Sequence, residues 1–317
     1  MLDKSNKPKI LVTGAAGKTG AAVVEQMLER GFPVRASVHR SDERASRLEL
    51  LGAEVLVGDM LDLKSMRTAM QGVKRVYFVY PPQGELLVEA TSIVAVAARD
   101  AGVEALVNMS QISAREDSNS PLARQHWLSE HILDWADIGA VHLRPTFFAE
   151  NLLILGAATI ASQGKLYLPY GAEKHAPVVA ADIARVASGI LADPALHVGE
   201  RYVVTGPRNL SITEMAGVLS QELGKPVEYV DLPVDAWGEV LSGVDGVTDS
   251  LVAHLKAVAV DHQDGRFRGE TDVVERIGGQ RPQALDKFIH KYRTDFNGAE
   301  TVRSLTGDSV RAPLGQG

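Results

Sequence analysis

The stretch Lys9-Ile10-Leu11-Val12-Thr13-Gly14-Ala15-Ala16-Gly17-Lys18-Thr19-Gly20 decides the fold. Its start is a short run of aliphatic and β-branched residues that stops at glycine, which predicts a buried strand. From Lys18 onward Val23, Val24, Met27 and Leu28 recur at helical spacing until Gly31, so a helix follows directly. Gly14-x-x-Gly17-x-x-Gly20 at that junction lets the backbone approach a pyrophosphate and sets it at the positive end of the helix. Gly14, Ala15, Ala16, Gly17, Lys18, Thr19 and Gly20 are therefore candidate dinucleotide-binding residues. A phosphate loop of the NTPase type is excluded, because Val12 stands where that loop needs its first glycine.

Outward from this loop the chain keeps a strand-helix beat as far as residue 145. Strands are predicted over 33–38, 53–57, 75–80, 105–109 and 141–143, the fourth stopped by Pro81 and Pro82. Between them lie a helix capped by Ser41 and running to Leu51, one capped by Asp62, and helices over 86–101 and 123–138. Continuously apolar strands separated by helices imply a parallel sheet covered on both faces, an α/β doubly wound (Rossmann) architecture over residues 8–150.

After Pro145 the rhythm changes. A helix is expected from Phe147 to Ser162, then a Gly/Pro-rich stretch over 164–177, a helix capped by Asp182, and one further strand over 201–204. Residues 178–205 thus return to the sheet. Ser211 and Glu214 are spaced as a capping box. Residues 151–177 and 206–297 are expected to form a smaller α+β substrate lobe, with a frayed tail over 298–317.

The end of the second strand bears on the choice of cofactor. An NAD site usually places an acid there for the ribose 2′-hydroxyl. Here the run is Val34-Arg35-Ala36-Ser37-Val38-His39-Arg40. Arg40 stands where a guanidinium can grip a 2′-phosphate, with Lys18 as a second positive contact, so NADP (NADPH) is expected in preference to NAD. Asp59 and the backbone beside it at Met60 are placed to meet the adenine amino group.

Composition narrows the function classes. The 317 residues carry a formal charge of −7 with both signs interspersed, which leaves no footprint for nucleic acid or an anionic membrane. There is no cysteine, so disulfides and thiolate nucleophiles are excluded. The nine histidines lack ligand spacing, and no metal site is expected. The polar start is unlike a signal peptide, and the longest apolar run, 86–98, is broken by Glu89, Thr91 and Ser92. A cytoplasmic protein, monomer or homodimer, acting on a small molecule is the expectation.

The loop Gly14–Gly20, the segment Val34–Arg40, Gly58-Asp59 and Leu143-Arg144-Pro145-Thr146-Phe147-Phe148-Ala149-Glu150-Asn151 resemble the NmrA-like family of atypical short-chain dehydrogenases/reductases. The resemblance extends through Asp182-Ile183-Ala184 and Ser211-Ile212-Thr213-Glu214, roughly residues 8 to 297. Within that family the chain is similar to the bacterial NADPH-dependent quinone and triphenylmethane-dye reductases, whose His-x-x-x-Glu pattern matches His126-Trp127-Leu128-Ser129-Glu130.

The Tyr-x-x-x-Lys dyad of the wider superfamily is missing: Leu122 and His126 occupy its positions, and no lysine lies between Arg75 and Gly164. The resemblance therefore implies hydride delivery to a quinone-like or other conjugated acceptor that spreads its own charge. It makes His126 the candidate general acid, beside the plainer reading of a packing histidine. It places Tyr80 and Pro81 on the ribose and pyrophosphate, Ser110 and Gln111 beside the nicotinamide, and Pro145 at the same crevice. Phe147 and Phe148 become candidate substrate-wall residues, and Trp237 a candidate pocket cap. The family also contains NADP-binding regulators without catalysis, which is the alternative reading.

Overall fold

The computed structural model describes residues 7–81 and 85–298, together with two short strands beyond them. The chain runs β1 (Lys9–Val12), α1 (Lys18–Glu29), β2 (Val34–Val38), α2 (Glu43–Leu50), β3 (Glu54–Val57), α3 (Leu63–Ala69), β4 (Val73–Phe78), α4 (Leu87–Ala101), β5 (Ala105–Met109), α5 (Pro121–Trp135) and β6 (Ala140–Pro145). There follow α6 (Glu150–Gln163), β7 (Lys165–Leu168), β8 (Lys174–His175), α7 (Ala180–Ala192), β9 (Arg201–Val204), β10 (Leu210–Ser211), α8 (Ile212–Leu223) and β11 (Glu228–Asp231). Then come α9 (Val234–Ser242), α10 (Asp249–Gln263), α11 (Val273–Gly278), α12 (Leu285–Lys291), α13 (Arg293–Asn297), β12 (Thr301–Arg303) and β13 (Ser309–Arg311).

Seven strands form one parallel sheet in the order β3-β2-β1-β4-β5-β6-β9. β2 and β5 are buried along their whole length because helices cover both faces. On one face Val23, Val24 and Met27 of α1 pack with Ala45 and Leu48 of α2 and with Ile183, Val186 and Ile190 of α7. On the other Met66, Val94, Ala98 and Leu133 bring α3, α4 and α5 onto Leu11, Val76 and Leu106. The chain reverses direction across the sheet between β1 and β4, and the crevice at a doubly wound fold's switch point is where ligands bind. A third core, built on Leu152, Leu166, Ile212, Leu219, Trp237 and Phe288, holds the lobe together.

The structure corrects several expected boundaries. α2 is capped by Asp42, whose carboxylate accepts from the Arg44 and Ala45 amides, and not by Ser41. α6 starts at Glu150 instead of Phe147: the Phe147 carbonyl accepts from Val178 N at 2.9 Å and Ala149 N donates to Val178 O at 2.9 Å. This pairing holds the two phenylalanines in extended chain. Asp182 does not cap α7; Val179 is the N-cap, and Asp182 lies in the first turn, where its carboxylate accepts from Gln283 N and Arg185. The stretch over 164–177 contains β7, parallel to β11, and β8, antiparallel to β10. α11, assigned to the lobe from sequence, instead packs Val273 and Val274 into the sheet-side core with α7. Pro82 lies outside the described residues. In the expected frayed tail, β12 and β13 pair antiparallel, and the rest of 299–317 lies outside the described residues.

Candidate active site

The glycine loop has the geometry that a pyrophosphate cradle needs. Gly14 has φ +53°, in the region that favours glycine, and a side chain there would meet Val79. A Cβ on Gly20 would stand 2.4 Å from the Gly14 carbonyl oxygen, so only glycine lets α1 start this close to the loop. At Gly17 the nearest obstacle is that same oxygen at 3.1 Å, and the residue is otherwise exposed to the crevice. Gly17 is also the N-cap of α1 and brings no capping side chain, and the first turn holds no acid. The positive end of the helix is thus left to a ligand, with Lys18 exposed at its first position.

The other expected cofactor residues follow the C-terminal ends of β2 to β6, the same edge of the parallel sheet from which this loop leaves β1. Thr13 Oγ1 donates to Val79 O at 3.1 Å and accepts from Val79 N at 3.0 Å, tying the ends of β1 and β4 together just before Tyr80 and Pro81. Arg40 is exposed just beyond β2. Asp59 is exposed, and its Oδ1 accepts from Leu61 N at 2.9 Å, which sets the turn through Met60. Burial first, then the charges of Asp59 and Glu89, push the Tyr80 phenol upward, so it stays protonated. Ser110 follows β5, Gln111 comes next, and Pro145 ends β6 opposite Val204 of β9, its carbonyl accepting from Ile112 N at 3.3 Å.

His126 sits on α5 with its Nδ1 buried and lacking a hydrogen-bond partner among the described residues. The ring keeps some accessible surface, yet protein atoms crowd it enough that burial, and then the neighbouring His254, push it down to about 3. The imidazole is neutral near pH 7. A protonated donor titrating close to the ordinary histidine value is therefore replaced by a neutral ring, because desolvation disfavours the cation.

The expected substrate walls divide. Phe147 is 2% exposed and its ring meets Tyr170, His175 and His262 edge-on or tilted. Trp237 is 4% exposed and packs against Tyr170 in the lobe core, so it does not cap an open pocket. Phe148 is only partly buried.

Two arrangements were not anticipated. Arg115, in the loop after β5, pairs bidentately with Asp261 of α10 at 2.8 and 2.7 Å, so the lobe is pinned to the crevice side of the sheet. Glu130, wholly buried on α5, accepts from Ser110 Oγ at 2.5 Å, from Arg144 Nε and Nη2 at 2.9 and 2.6 Å, and from Arg201 Nε at 3.1 Å. Burial alone would push its carboxyl up, but Arg144, Ser110 and His142 outweigh that and hold it below the usual range. The signal in the sequence was His142 and Arg144 inside a strand: polar side chains in a parallel strand need buried partners.

Among the described residues no cluster of His, Asp and Glu is placed to hold a metal, and no helix is long and apolar enough to cross a membrane.

The sequence profile of the NmrA-like family matches residues 6–294. The chain is 30% identical over 292 residues to an NAD(P)H azoreductase of Xenophilus azovorans, covering 92% of this chain and all of that protein. It is 29% identical over 285 residues to quinone oxidoreductase 2 of Escherichia coli, covering 88% and 97%. The triphenylmethane reductase of Citrobacter sp. complexed with NADP(H) superposes with a TM-score of 0.77 at 25% identity, covering 89% of this chain and 99% of that one.

Proposed function

Because the chain belongs to the NmrA-like family, we propose that it is an NAD(P)H-dependent oxidoreductase that passes hydride to a quinone-like or other conjugated small molecule. The observation that carries the reading is the α1 N-terminus: three glycines clear its approach, and neither a cap nor an acid competes for its amides. The relatives that act on azo compounds, quinones and triphenylmethane dyes support the acceptor class.

The loop Gly14–Gly20 holds the pyrophosphate, and Tyr80 and Pro81 flank it. Arg40, helped by Lys18, takes the 2′-phosphate, which makes NADPH the preferred form. Asp59 and Met60 border the adenine, while Ser110, Gln111 and Pro145 border the nicotinamide. The bound dinucleotide supplies the hydride; the protein orients it and keeps water from the crevice. His126, neutral near pH 7, holds no spare proton, which suits an acceptor that delocalises the incoming charge and takes its proton from solvent only after it leaves the crevice. Phe148 remains the substrate-wall residue of the original three.

The test is NADPH consumption, followed by its near-ultraviolet absorbance, against a panel of quinones, azo dyes and triphenylmethane dyes. Turnover with at least one class is expected. A protein that binds NADPH tightly yet oxidises it with none of them would be a nucleotide-sensing regulator instead.

A further inference from the structure

Ser110 has one hydroxyl hydrogen, and the structure accounts for it. Glu130 receives Arg144 on both carboxylate oxygens and Arg201 on one, so it is ionised and can only accept. The 2.5 Å contact therefore runs from Ser110 O–H to Glu130 Oε1. It is the one hydrogen bond Ser110 Oγ makes among the described residues, so the oxygen's lone pairs remain for something else. The network does not stop there. Arg201 also pairs with Asp134, Asp134 accepts from His142 Nε2 at 2.9 Å, and His142 Nδ1 takes Asn108 Nδ2 at 3.1 Å. β5, β6, β9 and α5 are thus bolted together behind a single hydroxyl at the crevice end of β5, and its rotor cannot turn.

We propose that Glu130 is a positioning residue that fixes Ser110 as a hydrogen-bond acceptor toward the nicotinamide end of the bound dinucleotide, where it takes an N–H or O–H donor. Ser110 is then no proton donor to the substrate. The inference rests on the dinucleotide reading above and deepens it. The donor is either the carboxamide N–H or a ribose hydroxyl of the cofactor, and the two are separable.

Calorimetric titration with NADP⁺ and with its 3-acetylpyridine analogue, whose methyl group replaces the carboxamide nitrogen, distinguishes them. Ser110→Ala leaves both arginine pairs of Glu130 in place and should weaken NADP⁺ about two- to tenfold, the range for one neutral hydrogen bond. If the carboxamide is the donor, wild type discriminates against the analogue and Ser110→Ala does not. If a ribose hydroxyl is, Ser110→Ala weakens both ligands equally. Glu130→Gln should weaken NADP⁺ in the wild-type background and add nothing in the Ser110→Ala background, because its effect passes through that hydroxyl. Should Glu130→Gln fail to fold, Glu130→Asp keeps the charge, withdraws from Ser110 and should show the same non-additivity. Equal affinities for Ser110→Ala and wild type with both ligands would overturn the proposal. So would a Glu130 effect of the same size in both backgrounds, which marks a purely structural role. A wild type that binds no NADP⁺ at all overturns the dinucleotide reading itself, a result distinct from either.

Discussion

The Nδ1 atoms of His175 and His262 lie 3.0 Å apart between β8 and α10. One neutral imidazole must donate to the other, inside an aromatic cluster in which His262 stacks on Phe267 and Tyr170 at 3.6 and 4.1 Å between centroids. A second proton at that contact would set two N–H donors against each other.

Acid should therefore destabilise the protein early. Burial pushes His175 and His254 down to about 4, and burial together with His175 pushes His262 well below its ordinary value. The unfolded chain binds protons near pH 6.5 and the folded one does not, so stability is complete above that pH and falls as pH drops toward 4. Each such histidine costs about 1.4 kcal/mol per pH unit in that window. Melting temperatures taken across it should fall steeply, and His262→Phe should flatten the slope. A melting temperature level down to the carboxylate range would refute this account.

Arg40 should decide between the two nicotinamide cofactors. A charge-assisted bidentate contact to the 2′-phosphate is worth about 1.5–3 kcal/mol, so Arg40→Asp should weaken NADPH roughly ten- to a hundredfold. NADH, which lacks that phosphate, should change little. Titration of both cofactors against both proteins checks it, and a wild-type preference for NADH would remove Arg40 from the site.

Two glycines in one loop should fail differently. At Gly17 a Cβ needs only a small shift from the Gly14 oxygen, so Gly17→Val should leave the melting temperature nearly intact while abolishing cofactor binding, its branches standing where the pyrophosphate lies. At Gly20 the Cβ would overlap that oxygen and the Ala15 backbone, so Gly20→Ala should unseat α1 and lower the melting temperature as well. Calorimetric binding that survives in Gly17→Val would show the loop to be merely a turn.

His126 should prove dispensable as an acid. Its ring is neutral throughout the neutral range, so kcat for an acceptor that needs only hydride should change less than about tenfold in His126→Ala, against the 10²–10⁴-fold typical of a general acid. The pH profile of wild type should show no limb near pH 6.5 that the variant loses. A larger drop in kcat with such a limb would restore the proton-donor role.

What the sequence determined by itself was everything carried by local period and local contact. The alternation of apolar strands and amphipathic helices, the glycine spacing at 14, 17 and 20, the acid missing after β2 and the capping box at Ser211 and Glu214 depend on neighbours a few residues away. The sheet, its helix layers and the glycine loop at the head of α1 followed from them. Tertiary structure decided what depends on distant partners. Phe147 and Phe148 read as a helix start until Val178, thirty-odd residues on, competes for the backbone of that segment. Asp182 read as a cap, but Glu150 reaches across from α6 to hold the Ala180 amide at 3.0 Å, leaving Asp182 to Gln283 and Arg185. His126 kept its ordinary acidity on paper because desolvation and the approach of His254 exist only once α10 has folded over α5. Glu130 was a motif letter until the ends of β5, β6 and β9 met around it. Hydrogen-bond competition and burial act through space, and neither is written in the spacing along the chain.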